Sequence, residues 1–222
     1  MNKAKRIVDN MDSENAFAVC SEIGIIDENA TPLKQARYIN ELLNTTESMK
    51  IYMTDTMRKC GGCCLSTNAI KIAKKLYAKS NDIAEFLNLL NEADIGGRNL
   101  HIFDGKIIAV YKKCYCNIPK KVENMNKKYC ECSAGWYMRL FSEVFEKSVT
   151  VTIVDTIVNG GASECVFEIA DYLIMRIIWQ CTGSIDSITW SADTMTFIGC
   201  RCQTSRLMYA DTPIAAIWQN RE

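Results

Sequence analysis

Apolar residues recur along this chain with two different periods, and the point where the period changes divides it. Up to Gly97 the spacing mixes three and four residues, as in helices that bury one face. The N-terminal run "AKRIVDNMDSENAFAVCSEI" carries this spacing. Pro32 follows Thr31, a cap with proline at the first helical position, and predicts a helix through "LKQARYINELLN". In "STNAIKIAKKLYAKS", Ile70, Ala73, Leu76 and Tyr77 share a face. Ile83, Phe86, Leu87 and Leu90 repeat the pattern in a helix expected to start from Ser80 or Asn81 and to stop at Gly96-Gly97.

Past Gly97 the period becomes two. "NLHIF-DG-KIIAVY" predicts a hairpin, with Asp104-Gly105 supplying the positive-φ positions of a two-residue turn. A helix is expected after Ser133 as its cap, with Trp136, Leu140 and Val144 aligned and Tyr137, Phe141 and Phe145 beside them. "SVTVTIVDTIVNGGASECVFEI" then predicts a second hairpin turning at Asn159-Gly160-Gly161. The expected fold is α+β, a helical N-terminal half followed by antiparallel hairpins with a packed helix. The last fifty residues differ in composition: no lysine follows Lys147, and Trp179, Trp190 and Trp218 all fall there. The expected divisions are a helical region over 1–59, a cysteine-rich domain over 60–170 and an extension over 171–222.

Length and charge narrow the function. The chain has 222 residues and is 48% hydrophobic, enough for a substantial core. A formal net charge of zero argues against a general nucleic-acid binder, which needs excess Lys and Arg to face phosphate. The N-terminus has charges throughout and no signal-peptide core, and no run reaches the roughly 18 apolar residues of a membrane span. The protein is therefore expected to be soluble and cytoplasmic, with no membrane partner and a homodimer left open. A reducing cytosol leaves metal binding, redox work or plain burial for the twelve cysteines. His101 is the only histidine, so catalysis by a nucleophile–histidine pair has one candidate member.

The cysteines fall in groups. Cys114 and Cys116 follow "IIAVYKK"; in a strand, residues two apart share a face, which would present both sulfurs together. Cys130 and Cys132 follow after thirteen intervening residues. Four thiolates brought together suit zinc, and equally an iron–sulfur cluster. In "RKCGGCC", Cys60 and Cys63 have the two-residue spacing of a metal knuckle, which is also that of a dithiol redox motif. Of the adjacent Cys63 and Cys64, one is expected to be structural. Cys20, Cys165 and Cys181 read as small buried hydrophobes, and "GCRC" at Cys200 and Cys202 is undecided.

The set "KCGGCC", "GGRNL", "KCYC" and "YCECSAGW", followed by a hairpin ending in Gly160, Cys165 and Phe167, resembles a known pattern. It is similar to a bacterial family of cysteine-rich proteins related to the bacteriochlorophyll 4-vinyl reductase-like domain superfamily. The resemblance covers Cys60 to Ile169, about half of the chain. It implies an α+β ligand-binding fold whose members take small hydrophobic or aromatic effectors, some with a cysteine-bound zinc. The leading expectation is a metal-binding protein (zinc, or an iron–sulfur cluster) with a small-molecule pocket and a sensor or accessory role. Its ligands would be Cys114, Cys116, Cys130 and Cys132, with Cys60 or Cys63 competing, and Trp136, Tyr137 and Phe141 would line or support the pocket. The alternative is an enzyme, either a metal-dependent hydrolase of a small C–N substrate or a thiol- or cluster-dependent reductase.

Overall fold

The computed structural model describes residues 2–158 and 162–170, all within one compact unit. The turn expected at Asn159-Gly160-Gly161 and everything expected of 171–222, including Cys181, Cys200 and Cys202, lie outside the described residues. Six helices come first: α1 (Lys3–Asp9), α2 (Ser13–Ile23), α3 (Pro32–Ser48), α4 (Thr54–Gly62), α5 (Thr67–Lys79) and α6 (Ile83–Glu92). The hairpin β1 (Leu100–Phe103) and β2 (Lys106–Tyr111) follows, then α7 (Glu131–Phe145), β3 (Thr150–Asp155) and β4 (Cys165–Ala170). The sheet is antiparallel with order β1-β2-β4-β3, so the last strand sits between the two that precede it in different hairpins. The α+β expectation is met.

Local chemistry sets the boundaries. Thr31 accepts a hydrogen bond from the Lys34 amide, with Pro32 opening α3. The cap of α6 is Asp82, not Ser80 or Asn81: it accepts from the Glu85 amide at 2.8 Å, while Glu85 reaches back to the Asn81 amide at 2.7 Å. That helix also stops before the expected glycines. Asp94 takes the left-handed position (φ 56°), and the Ile95 amide returns to the Leu90 carbonyl at 2.9 Å, closing the last turn. Asp104 and Gly105 both have positive φ, as the hairpin turn requires. Likewise α7 begins at Glu131 with Cys130 at its cap position, so Ser133 lies inside the first turn instead of capping it.

Helix α7 separates two apolar cores. On one side Tyr137, Leu140, Phe141 and Val144 pack with α5, α6 and the inward residues Ile107, Phe167 and Ile169 of the sheet. On the other, Cys130 and Cys132 join Ile7 of α1, Ile39, Leu42 and Leu43 of α3, and Met57 and Cys60 of α4. The two helices α4 and α7 meet backbone to backbone. A Cβ on Gly61 would overlap the Cys132 carbonyl, and one on Gly135 would overlap the Arg58 carbonyl. Arg58 fixes the crossing, pairing with Glu131 at 2.8 Å and donating to the Val151 carbonyl at 3.1 Å. Gly61 of "CGGC" is therefore a helix-packing residue. Among the described residues, no helix is long and apolar enough to cross a membrane.

Candidate thiol site

The helix crossing brings the end of α4 against the start of α7, and a cavity of about 430 Å³ opens there. Six sulfurs line it: Cys64, Cys114, Cys116, Cys130, Cys132 and Cys165. Lys3, Asp94, four aromatic residues (Tyr111, Tyr115, Tyr129 and Trp136) and the Gly96-Gly97 loop are also in the wall. Gly97, with φ of 88°, lies so close to Tyr111 that a Cβ would enter its ring.

Lys3 reaches the cavity because α1 is pinned. Asn2 caps the helix and donates to the Asp27 carbonyl at 2.8 Å, while the Lys3 amide donates to Gln35 Oε1 at 2.9 Å. The Lys3 ammonium lies 3.2 Å from Cys132 Sγ, 3.6 Å from Cys116 Sγ and 4.7 Å from the centre of the Tyr129 ring. One turn along α1, Arg6 Nη2 donates to Cys64 Sγ at 3.0 Å. Burial works against a charged Lys3, but the sulfurs of Cys132 and Cys116, together with Tyr129, more than offset it and hold the ammonium above the ordinary lysine range.

Cys64 and Cys132 line the same cavity from either side of the helix crossing, and Cys64 Sγ also donates to the Cys60 carbonyl at 3.6 Å. Cys64 is exposed and Cys132 buried. The hydrogen bond from Cys132, aided by Lys3 and Arg6 and opposed by burial, lowers the Cys64 thiol to about 5. The same bond and deep burial push Cys132 up. Two thiols thus share one proton, beside two cations.

A second pair stands in the same cavity. Thr156 Oγ1 lies 2.8 Å from Cys130 Sγ and 3.6 Å from Cys165 Sγ, and the Ile157 amide donates to Cys165 at 3.3 Å. The hydrogen bond from Cys130 and the donors at Thr156 and Ile157 lower Cys165 to about 6 against burial, while Cys130 is pushed up. Cys165 opens β4, where Cys165, Phe167 and Ile169 alternate inward. It is buried, as expected, but it is not inert packing.

The sulfurs expected to act together are divided between these pairs. Strand β2 ends at Tyr111, so Cys114 and Cys116 lie in irregular backbone. Cys116 faces Lys3 and Tyr129, whose hydroxyl is 2.8 Å from its sulfur, while burial raises Cys114 among the thiols near Cys165. Cys130 and Cys132 straddle the start of α7, where residues two apart point in different directions. Cys60 is buried and bonded to Arg6, and Cys63 is exposed outside the cavity. Among the described residues no three of His, Cys, Asp or Glu are arranged to hold a metal ion. The Lys3 ammonium stands where a cation shared by Cys132 and Cys116 would sit. As arranged, the six expected ligands do not fit a four-thiolate zinc site or a cluster.

Of the expected pocket residues, Trp136 lines the cavity. Tyr137 belongs to the sheet-side core and donates its hydroxyl to the Gly96 carbonyl at 2.9 Å, supporting the wall from behind. Phe141 is wholly in that core. Residues outside the expected set are Cys64, Cys165, Lys3, Arg6, Tyr129 and Thr156. The inward alternation of Cys165 with Phe167 was a usable signal; for Lys3, over a hundred residues from its sulfur partners, there was none.

Residues 3–176 match the model of a family of unknown function, DUF6144, and the chain belongs to that family. No curated protein and no solved structure matches it.

Proposed function

We propose that the chain binds a small molecule in the thiol-lined cavity and exchanges two electrons with it through Cys64 and Cys132. One observation carries this: an accessible thiol of lowered pKa is hydrogen-bonded to a buried partner thiol, with ammonium and guanidinium groups on the sulfurs. Accessible thiolates beside a second cysteine are the pattern of attacking and resolving pairs. The aromatic wall and the likeness to 4-vinyl reductase-like domains support a small organic ligand.

With a disulfide RS–SR′ as oxidant, the Cys64 thiolate attacks one sulfur, forms Cys64–S–S–R and expels R′S⁻. The leaving thiolate takes the Cys132 proton. Cys132 then attacks Cys64 Sγ, closing Cys64–S–S–Cys132 and releasing RS⁻. The substrate gains two electrons and the protein loses two. Lys3 and Arg6 neutralise the thiolate before attack, and Lys3 remains on Cys132 as it loses its proton. A cytoplasmic location would keep the resting pair reduced.

The reduced chain, treated with less than one equivalent of a chromogenic aromatic disulfide, is expected to release two thiolates per reagent consumed. Cys132→Ser should release one and retain the adduct on Cys64. Cys64→Ser should lose the fast phase; a fast phase unchanged in that variant overturns the proposal.

A second reading, zinc or iron–sulfur ligation by some of the same sulfurs, is favoured by six of them lining one cavity. It requires Lys3 to leave its position between Cys132 and Cys116. Stoichiometric metal in anaerobically purified protein, protecting Cys64 from the reagent, would favour it; metal-free protein with a reactive Cys64 favours the dithiol.

A further inference from the structure

Two thiol pairs on one cavity are more than a single two-electron exchange uses. Cys130 and Cys165 are gathered around Thr156 Oγ1, and both sulfurs line the same wall as Cys64 and Cys132. A loop carrying Cys114 and Cys116 lines the same cavity as both pairs. Cys116 shares the Lys3 ammonium with Cys132, while Cys114 lies among the thiols near Cys165 and donates to the Cys116 carbonyl at 3.5 Å. Both loop cysteines also line the cavity. The irregular backbone of this loop, which made it a poor strand, suits it to passing a disulfide from one side to the other.

Resting on the dithiol chemistry proposed above, we infer that Cys130 and Cys165 form a second dithiol that re-reduces the Cys64–Cys132 disulfide by exchange through Cys114 and Cys116. In the first step Cys116 attacks Cys132 Sγ and expels Cys64 as thiolate. Cys114 then attacks Cys116, releasing Cys132 and closing Cys114–S–S–Cys116. Cys165 attacks Cys114 and releases Cys116, and Cys130 attacks Cys165 and releases Cys114. Each departing thiolate takes the proton given up by the thiol that enters. The net change is one disulfide moved from Cys64–Cys132 to Cys130–Cys165, with no external oxidant or reductant. The chain then holds four electrons for its substrate, and the accessible pair is ready for a second molecule.

The test is a stepwise anaerobic titration of the fully reduced full-length chain with the same aromatic disulfide. Free thiols are trapped with N-ethylmaleimide after each addition, and disulfides are mapped by peptide mass spectrometry. The wild-type chain is expected to consume two equivalents rapidly. After the first, the disulfide should lie between Cys130 and Cys165, with Cys64 alkylated. Cys165→Ala and Cys130→Ala should each stop the transfer at the loop, with the disulfide found at Cys64–Cys132 or Cys114–Cys116 and the remaining cysteine of the second pair alkylated. Cys114→Ser with Cys116→Ser should delay the second equivalent at least tenfold. A wild-type chain that consumes one rapid equivalent, with Cys130 and Cys165 both alkylated and Cys64–Cys132 disulfide-bonded, overturns the relay while leaving the first dithiol intact. Rapid uptake that persists in Cys64→Ser overturns both.

Discussion

The two sides of α7 are built from the same helix to opposite ends. On the sheet side, Tyr137, Leu140, Phe141 and Val144 meet Phe86, Ile107 and Phe167 in a core of stacked and tilted rings, stabilised by area and fit. On the α1–α4 side, the first turn of the helix delivers Cys132 to an open cavity with an ammonium on it, and a guanidinium lies on Cys64 just past α4. The first side resists change because its atoms are close-packed. The second tolerates charged groups because its cations lie on sulfurs, and its chemistry follows from those contacts. A rigid core one turn away is what holds two thiols and two cations in register.

That contrast predicts which perturbations separate the two sides. The largest effect should come from Phe141→Ala, which leaves a cavity in the sheet-side core. Unfolding by urea should show a loss of about 3–5 kcal/mol, while Cys64 in the molecules that remain folded keeps its reactivity. Gly61→Ala strikes the contact that both sides share, since its methyl group meets the Cys132 carbonyl. A destabilisation of about 2–3 kcal/mol is expected from overpacking against backbone, together with slower thiol exchange because α4 must shift away from α7. Exchange at the wild-type rate in this variant would show that the crossing does not position the pair.

Lys3→Met should act on one side alone. Removing an opposite charge beside a thiolate raises its pKa by about one to three units. With folded Cys64 near 5, alkylation at pH 6 should therefore fall about twofold for the smallest such rise and about tenfold for the middle of the range, with the far-ultraviolet dichroism unchanged. Equal loss from Lys5→Met, whose ammonium pairs with Asp9 and Glu28 away from the cavity, would contradict the assignment.

The thiol side should also make stability depend on pH. Between about 5, where folded Cys64 titrates, and about 9, the ordinary thiol value, the folded pair has lost one proton while the unfolded chain keeps both. The unfolded state binds more protons, so this pair's contribution rises with pH through that window. Above about 9 the unfolded chain loses both protons while Cys132 keeps its own, and the contribution falls. Urea midpoints of the wild type minus those of Cys64→Ser, taken from pH 5 to 10, should rise with pH from about 5 to about 9. A flat difference would contradict the shared proton.

Much of the scaffold was legible because its causes are local. Thr31-Pro32 caps α3 and Asp104-Gly105 turns the hairpin as their chemistry dictates, and the apolar period marked the core faces of α5, α6 and α7. The misplaced boundaries, Asp82 for Ser80 or Asn81 and Asp94 for the glycines, are competitions among neighbouring residues that all suit the role. The thiol site was legible only in composition. Spacing in "KCYC" suggested a shared face on a strand, whereas that pair lies in irregular backbone and the "YCEC" pair straddles a helix start. What selects Cys64 over Cys63 is the crossing of α4 with α7 and the docking of α1, and both are long-range contacts that no local spacing carries.

The adjacent Cys63 and Cys64 therefore give the most direct test. Both are exposed, but only Cys64 carries the Cys132 hydrogen bond and the Arg6 guanidinium. Reduced, folded protein at pH 6 is treated with iodoacetamide well below one equivalent, and the first labelled cysteine is identified by peptide mass spectrometry. The account predicts Cys64, with labelling sharply reduced by Lys3→Met. First labelling at Cys63, or at both equally, would contradict it.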